Sequence, residues 1–395
     1  MPYKKILFII FFILILPLKI NSEEGVTDTE IRVAQFGPLT GPASPWSAVL
    51  KGAGFLFDLV NSEGGIHGRK IVYRIFNDDY NPAKTKFGVK ELQEKVGIFA
   101  WIGGIGTETS LSVKDYLMNR KIPWISPFSG SKDLINPPNR YLFAVYPLYS
   151  FEAKVLCNYA IKNLKKTKIA IVYQNDGYGK SGLEGVSKVL AEYNMSLVAQ
   201  IPVISTDTDM KSCALELQSK NADAVLLFTT TFAAFRILKI SKDMHYFPQW
   251  MGGVAFNDHD LMYKISNGLW QGAITNNMIN FNDTTKMRKY REAFKKAFPN
   301  DIYSPLFHAG VYVSEIFAEA LTQSGRNLTR ERLIEELEKM NDFQSIAGPK
   351  ITFKPFNISD PECRRGTRET YLTQCLEGGK TKRLTNWISD ETMLK

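Results

Sequence analysis

The residues best able to do chemistry are few and far apart in this chain. Its four histidines, His67, His245, His259 and His308, share no metal-ligand spacing, and each reads as a loop or helix-surface residue. Asp78-Asp79 form a carboxylate pair at the end of a predicted strand. They run into Asn81-Pro82, however, which favours turn formation and helix capping over paired acid–base chemistry. Gly103-Gly104-Ile105-Gly106 follows an apolar strand as a dinucleotide-binding loop would. Glu108 and Thr109 then stand where the third glycine is required, so the motif fails. Neither a G-x-S-x-G elbow nor an H-E-x-x-H pair occurs. The sequence therefore predicts no catalytic centre, no metal site and no cofactor, and points instead to binding.

Composition sets the frame for that reading. The chain has 395 residues, of which 44% are hydrophobic, enough for two cores and a two-domain arrangement. Its formal charge of +9 is spread out, without an arginine-rich block or aromatic–basic alternation, so nucleic acid is not an expected partner. Lys4 and Lys5 precede an uncharged run from Ile6 to Leu18, which is short for a membrane span and fits a secretory leader over residues 1–22. No cysteine lies near the expected cleavage region, Ile20 to Gly25, so a lipoprotein anchor is not expected.

The elements that must position any site follow one plan. Ile31–Phe36 alternates as a strand, Gly37-Pro38-Leu39-Thr40-Gly41-Pro42 is a turn-rich loop leading to Trp46, and Ser47–Asn61 has helical spacing. Gly64-Gly65-Ile66-His67-Gly68 breaks that helix, and Lys70–Phe76 is a second strand. This is a βαβ unit, whose first loop lies at the carboxyl edge of a parallel sheet, where ligands bind. Further strands are predicted at Gly97–Ile102 and Lys121–Ser126. A fresh series begins with a helix from Ser150 and strands at Lys168–Tyr173, Ser196–Ile204, Ala222–Phe228 and Gln249–Gly253. The alternation predicts an α/β fold with a parallel sheet in each of two lobes. Long helices are expected over Ser304–Ser324 and Arg330–Met340, with short strands at Ile351–Phe353 and Tyr371–Thr373.

Several motifs in order carry a resemblance. The Gly37–Pro42 loop with its following aromatic, the run Val60 to Lys70, the run Asn77-Asp78-Asp79-Tyr80-Asn81-Pro82 and the run Val172 to Gly179 together resemble the leucine/isoleucine/valine-binding protein family. These are the type 1 periplasmic substrate-binding proteins of ABC importers. The resemblance covers roughly Glu30 to Leu321 and implies two doubly wound parallel-sheet lobes joined by three crossing segments. On that pattern lobe one holds residues 26–144 plus 280–346, and lobe two holds 145–279 plus 347–395. The crossings are expected near Val145–Ser150, Ala273–Ile279 and Ala347–Ile351. It further implies a monomer in the periplasm that closes on a small solute and presents it to an inner-membrane ABC permease. The alternative is a sensing subunit that hands its closed form to a receptor kinase, and a hydrolase on the same fold lacks a nucleophile–base pair.

The resemblance also places candidate ligand contacts. Thr107, at a helix N-terminus, would favour an anionic or carbonyl oxygen. Phe128 through its backbone, and Gly130 with Ser129 beside it, occupy the next loop. Trp46 and Tyr178 would wall the cleft from either lobe, with Phe232 and Phe256 as further contacts from lobe two. Relatives that bind α-amino acids supply an acid where Val254 stands here. Asp176 or Asp258 would then have to offset a bound ammonium, because a desolvated charge without a counter-charge is costly.

In an oxidising compartment Cys363 and Cys375 are expected to form a disulfide across a short C-terminal segment. Cys157 and Cys213 fall in apolar helical stretches and are expected to be buried thiols.

Overall fold

A computed structural model describes residues 23–281, 283–346 and 348–390. The leader expected over residues 1–22 lies outside the described residues, as does Ala347 in the expected third crossing. Among the described residues no helix is long and apolar enough to cross a membrane.

The first half of the chain alternates strand and helix: β1 (Glu30–Gly37), α1 (Ala48–Ser62), β2 (Lys70–Asn77), α2 (Pro82–Val96), β3 (Ala100–Ile102), α3 (Thr107–Asn119), β4 (Trp124–Ile125), α4 (Lys132–Ile135) and β5 (Leu142–Phe143). These strands form one parallel sheet in the order β2-β1-β3-β4-β5. A second series then follows: α5 (Tyr149–Lys162), β6 (Ile169–Gln174), α6 (Gly177–Glu192), β7 (Ala199–Val203), α7 (Lys211–Ser219), β8 (Ala224–Phe228), α8 (Thr231–Asp243), β9 (Gln249–Gly252), α9 (His259–Ile265) and β10 (Ile274–Asn277). Its parallel strands run in the order β7-β6-β8-β9-β10, the same winding as the first sheet. In both sheets the order reverses beside the first strand, at β1/β3 and at β6/β8. Those reversals open a crevice at the carboxyl ends, and the loops that carry Trp46 and Tyr178 leave equivalent strands there.

Three helices, α10 (Thr285–Ala297), α11 (Pro305–Ser324) and α12 (Arg330–Glu338), return to the first sheet. Phe55 of α1 lies against Tyr290, Phe294 and Phe307, and Phe57 against Phe317, so α10 and α11 close the core over α1. The opposite face of that sheet is filled by Phe36, Trp101 and Trp124. The chain ends with β11 (Glu369–Cys375), β12 (Thr381–Arg383) and β13 (Ile388–Ser389), which extend the second sheet antiparallel. The second sheet is thus mixed rather than wholly parallel, since a chain arriving from outside can add to an open edge in either sense.

Three passages join the two sheets. The first leaves β5 and reaches α5 at Tyr149. The second follows β10, because Ile274 and Thr275 still pair with Met251 and Gly252 in the second sheet, and Asn276 and Asn277 with β11. After α12, Phe353 packs on Phe143 and Arg365 bridges Ala144, so residues 351–365 remain against the first sheet. Arg364 is fully buried there, donating to the carbonyls of Asn139 and Lys354 and stacking on Phe143. The third passage falls between Arg365 and Glu369.

The expected disulfide is not formed, and all four cysteines are free and buried. Cys363 sits in a short 3-10 helix, Pro361–Arg364, held against the first sheet, with its thiol on the Asn357 carbonyl. Cys375 ends β11 beside the His259 carbonyl in the second lobe. The intervening strand is extended, so its ends stand roughly 20 Å apart, well beyond the reach of a disulfide. Denaturing the protein without reductant and labelling with a thiol reagent is expected to modify four cysteines; two labelled cysteines would contradict this arrangement.

Candidate functional site

The crevice between the sheets contains a small, nearly filled cleft lined by Trp46, Tyr80, Ile105, Gly106, Phe128, Tyr146, Tyr149, Tyr178 and Ala255. Six of these nine residues are aromatic, and none carries a formal charge. Trp46 rides on a 3-10 helix, Ser44–Ser47, started by Pro45 after the β1 loop. Its ring meets Tyr80 edge-on at 5.5 Å, and its Nε1–H donates to the Ala255 carbonyl of the other lobe at 3.0 Å. Tyr178 sits in the first turn of α6, capped by Asp176, and its ring lies 4.6 Å from that of Tyr149. From there the rings continue to Tyr146 and Phe128 at 5.5 and 4.8 Å. The chain of rings runs from one lobe to the other through the first crossing segment.

Tyr80, Tyr146 and Tyr149 were not singled out by the sequence reading, although each left a trace. Tyr80 closes the turn Asn77–Pro82 with φ of +60°, a backbone state that bulky residues avoid and that clusters at functional sites. Tyr146 and Tyr149 flank Pro147 in the crossing. An aromatic pair about a proline is hard to assign to either core.

Thr107 begins α3 just behind the cleft wall, and its hydroxyl shares a 2.9 Å hydrogen bond with Ser129. The Tyr149 phenol joins these two hydroxyls; burial pushes it up to about 12, while Ser129, the Gly130 backbone and Thr107 pull the other way. Gly130 itself lies against the crossing segment. A Cβ there would come within 2.2 Å of the Pro147 carbonyl, which explains why no hydroxyl-bearing residue fits at that position.

Five expected contacts take other roles. Phe128 cannot offer its backbone, because its N–H donates to Gly104 and its carbonyl accepts from Gly106; its ring lines the cleft instead. Asp176 has both oxygens engaged, by the Tyr178 and Gly179 amides and by Gln174, so it caps α6 rather than facing the cleft. Phe256 is fully buried against Trp270 in the second lobe's core. Phe232 belongs to α8 and is half-buried away from the cleft lining. Asp258 caps α9 through the Leu261 amide and also lies outside the cleft. His259 and His308 are buried rather than surface residues. His259 takes Trp270 and Thr373 as partners, and His308 stacks on Phe281.

A second acid stands by this wall, one the sequence pattern does not mark. Glu152, in the first turn of α5, is fully buried, and its Oε2 accepts the Val254 amide at 3.0 Å. Gly253 leaves room for it, since a Cβ there would lie 2.2 Å from Oε2. Its Oε1 has no partner among the described residues, and burial pushes the carboxyl well above its ordinary range.

The lobes also touch directly. The Gly177 amide donates to Glu108 at 2.9 Å, and Lys132 pairs with Glu184 at 2.9 Å. With one cleft walled by both lobes and latched across its mouth, the architecture is that of a two-lobed receptor for small molecules. The chain belongs to the periplasmic binding protein family, whose family model matches residues 30–380. It is 23% identical over 329 residues to the leucine-specific-binding protein of Salmonella typhimurium, covering 82% of this chain and 87% of that one. It is 27% identical over 199 residues to Leu/Ile/Val-binding protein homolog 3 of Brucella melitensis, a match spanning 50% of this chain and 53% of the relative's length. A substrate-binding periplasmic protein from Ralstonia solanacearum superposes with a TM-score of 0.81 at 21% identity, covering 90% of this chain and all of that one. That likeness shows a type 1 periplasmic binding protein fold.

Proposed function

We propose that this protein is exported, works as a monomer in the periplasm, and delivers a small amino-acid-like, carboxylate or amide solute to an inner-membrane ABC permease. Lobe one is then residues 26–144 and 280–346 together with the strap 348–365, and lobe two is 145–279 and 366–390. A single observation carries the reading: Trp46 from one lobe and Tyr178 and Ala255 from the other wall the same small cleft. A solute seated there gains contacts with both lobes only when they are closed, so it draws the population toward the closed form that a permease reads. No catalytic step is proposed, because the lining holds no nucleophile paired with a base.

Native mass spectrometry of the gently purified protein is expected to show one small solute per chain. Adding that solute back to stripped protein should raise the melting temperature in proportion to its occupancy. A protein that carries no solute, and is stabilised by none of a broad panel of amino acids, amides and carboxylates, would overturn the reading.

A further inference from the structure

The 3-10 turn Val254–Phe256, which follows β9, carries the second lobe's end of the contact with Trp46. Its Ala255 carbonyl accepts the indole Nε1–H across the cleft, so the aim of that carbonyl sets how the lobes meet. The start of such a turn leaves backbone amides that a side chain of the preceding residue usually satisfies. Here the preceding residue is Gly253, which has no side chain to offer. The Val254 amide is met instead by Glu152 Oε2, from the first turn of α5, at 3.0 Å. Val254 and Glu152 are both fully buried, so water cannot take the carboxyl's place.

The turn is pressed onto that carboxyl. A Cβ on Gly253 would come within 2.2 Å of Glu152 Oε2 and 3.5 Å of the Phe228 ring. Phe256, at the far end of the turn, is buried against Trp270. Tyr149 lies three residues before Glu152 in the same turn of α5, and its phenol joins Ser129 and Thr107 of the first lobe. One turn of α5 therefore touches the first lobe through Tyr149 and holds the Ala255 turn through Glu152. A buried carboxyl is a costly acceptor for one amide, and its second oxygen has no partner among the described residues. Such a group calls for an explanation beyond packing.

We propose that Glu152 is a positioning residue for lobe closure. Through the Val254 amide it holds the Ala255 carbonyl where the Trp46 indole donates, and it does so as an acceptor rather than as a charge. The inference rests on the solute-binding reading, since the aim of this carbonyl matters only to a receptor that closes. A side-chain amide oxygen accepts the same bond, so Glu152→Gln should preserve the arrangement. Glu152→Leu leaves the Val254 N–H buried and unpaired.

The indole N–H signals in the nuclear magnetic resonance spectrum of the isotope-labelled protein, as isolated, read the contact directly. That of Trp46 is assigned by its loss in Trp46→Phe. In Glu152→Leu the Trp46 N–H is expected to exchange with solvent about tenfold faster, the factor set by one buried donor left unpaired. Glu152→Gln should keep the parent rate. Trp101, Trp124 and Trp270 donate within single lobes, to Gln93, Gly103 and His259, and should keep their parent rates in every variant. Equal acceleration of all four indoles would mark a general loosening and overturn the inference. A Trp46 rate unchanged in Glu152→Leu would also overturn it, as would one raised equally in Glu152→Gln, which would assign the carboxyl's role to its charge. If Glu152→Leu fails to fold, Gly253→Ala replaces it; the added methyl pushes the turn off the carboxyl and should give the same selective acceleration. No solute is added in this measurement, so its failure leaves the solute-binding reading standing. That reading falls instead if native mass spectrometry and the solute panel find nothing.

Discussion

Replacing Trp46 with Ala is expected to weaken solute binding by about 2 kcal/mol or more, roughly thirtyfold. Two contributions combine in that figure. The indole gives the cleft its largest ring, and an aromatic anchor in a desolvated pocket contributes on this scale. Its Nε1–H also makes a hydrogen bond to Ala255 across the cleft, which exists only when the lobes are together. Trp46→Phe separates the two, keeping most of the ring area while removing the donor. It should weaken binding by about 1 kcal/mol, the range of one net hydrogen bond. Calorimetry with the co-purifying solute measures both. Unchanged affinity in Trp46→Ala would place the binding site elsewhere.

Trp46 and Tyr178 were legible because each interrupts a glycine-rich loop at a strand end, where a buried aromatic has no core to join. The βα repeat was equally plain, since central parallel strands such as β8 are apolar throughout and stand out from their amphipathic helices. The helices α2, α9 and α10 were missed. Their buried stripes are thin; α10 buries only Met287, Tyr290 and Phe294 within a lysine- and arginine-rich segment. The third passage between lobes was misplaced because nothing local fixes it. Arg364 holds the strap by reaching carbonyls some 225 residues away in sequence.

Glu152 illustrates the same limit at the site. In the sequence it is one acid in an apolar helix, and its partner amide belongs to Val254, 102 residues further on. The missing acid at position 254 was visible as a departure from the family pattern. The carboxyl that meets Val254 from α5 was not, because only the fold brings the two together. Likewise Cys363 and Cys375 look close on paper, yet an extended strand spans most of the interval between them. Spacing in the chain sets an upper limit on distance, and secondary structure decides how much of it is used.

Gly310→Leu is expected to lower the unfolding free energy by about 3 kcal/mol, the upper end of ordinary overpacking. The helices α1 and α11 meet backbone to backbone at Gly52 and Gly310. A Cβ at position 310 would lie 1.9 Å from the Val49 carbonyl, and one at position 52 would lie 1.9 Å from the Phe307 carbonyl. Those neighbours are main-chain atoms inside a helix and cannot rotate aside as a side chain could. The helices must therefore separate, which opens the aromatic cluster of Phe55, Phe294 and Phe307 on one side and strains Phe57 and Phe317 on the other. Gly310→Ala should cost less than Leu but more than an exposed helical Gly→Ala change, which is stabilising. Urea unfolding of the three proteins gives the order directly, with the slope checked for a change in the denatured state. A Gly310→Ala protein as stable as the parent would mean that α1 and α11 pack further apart than their backbones do here.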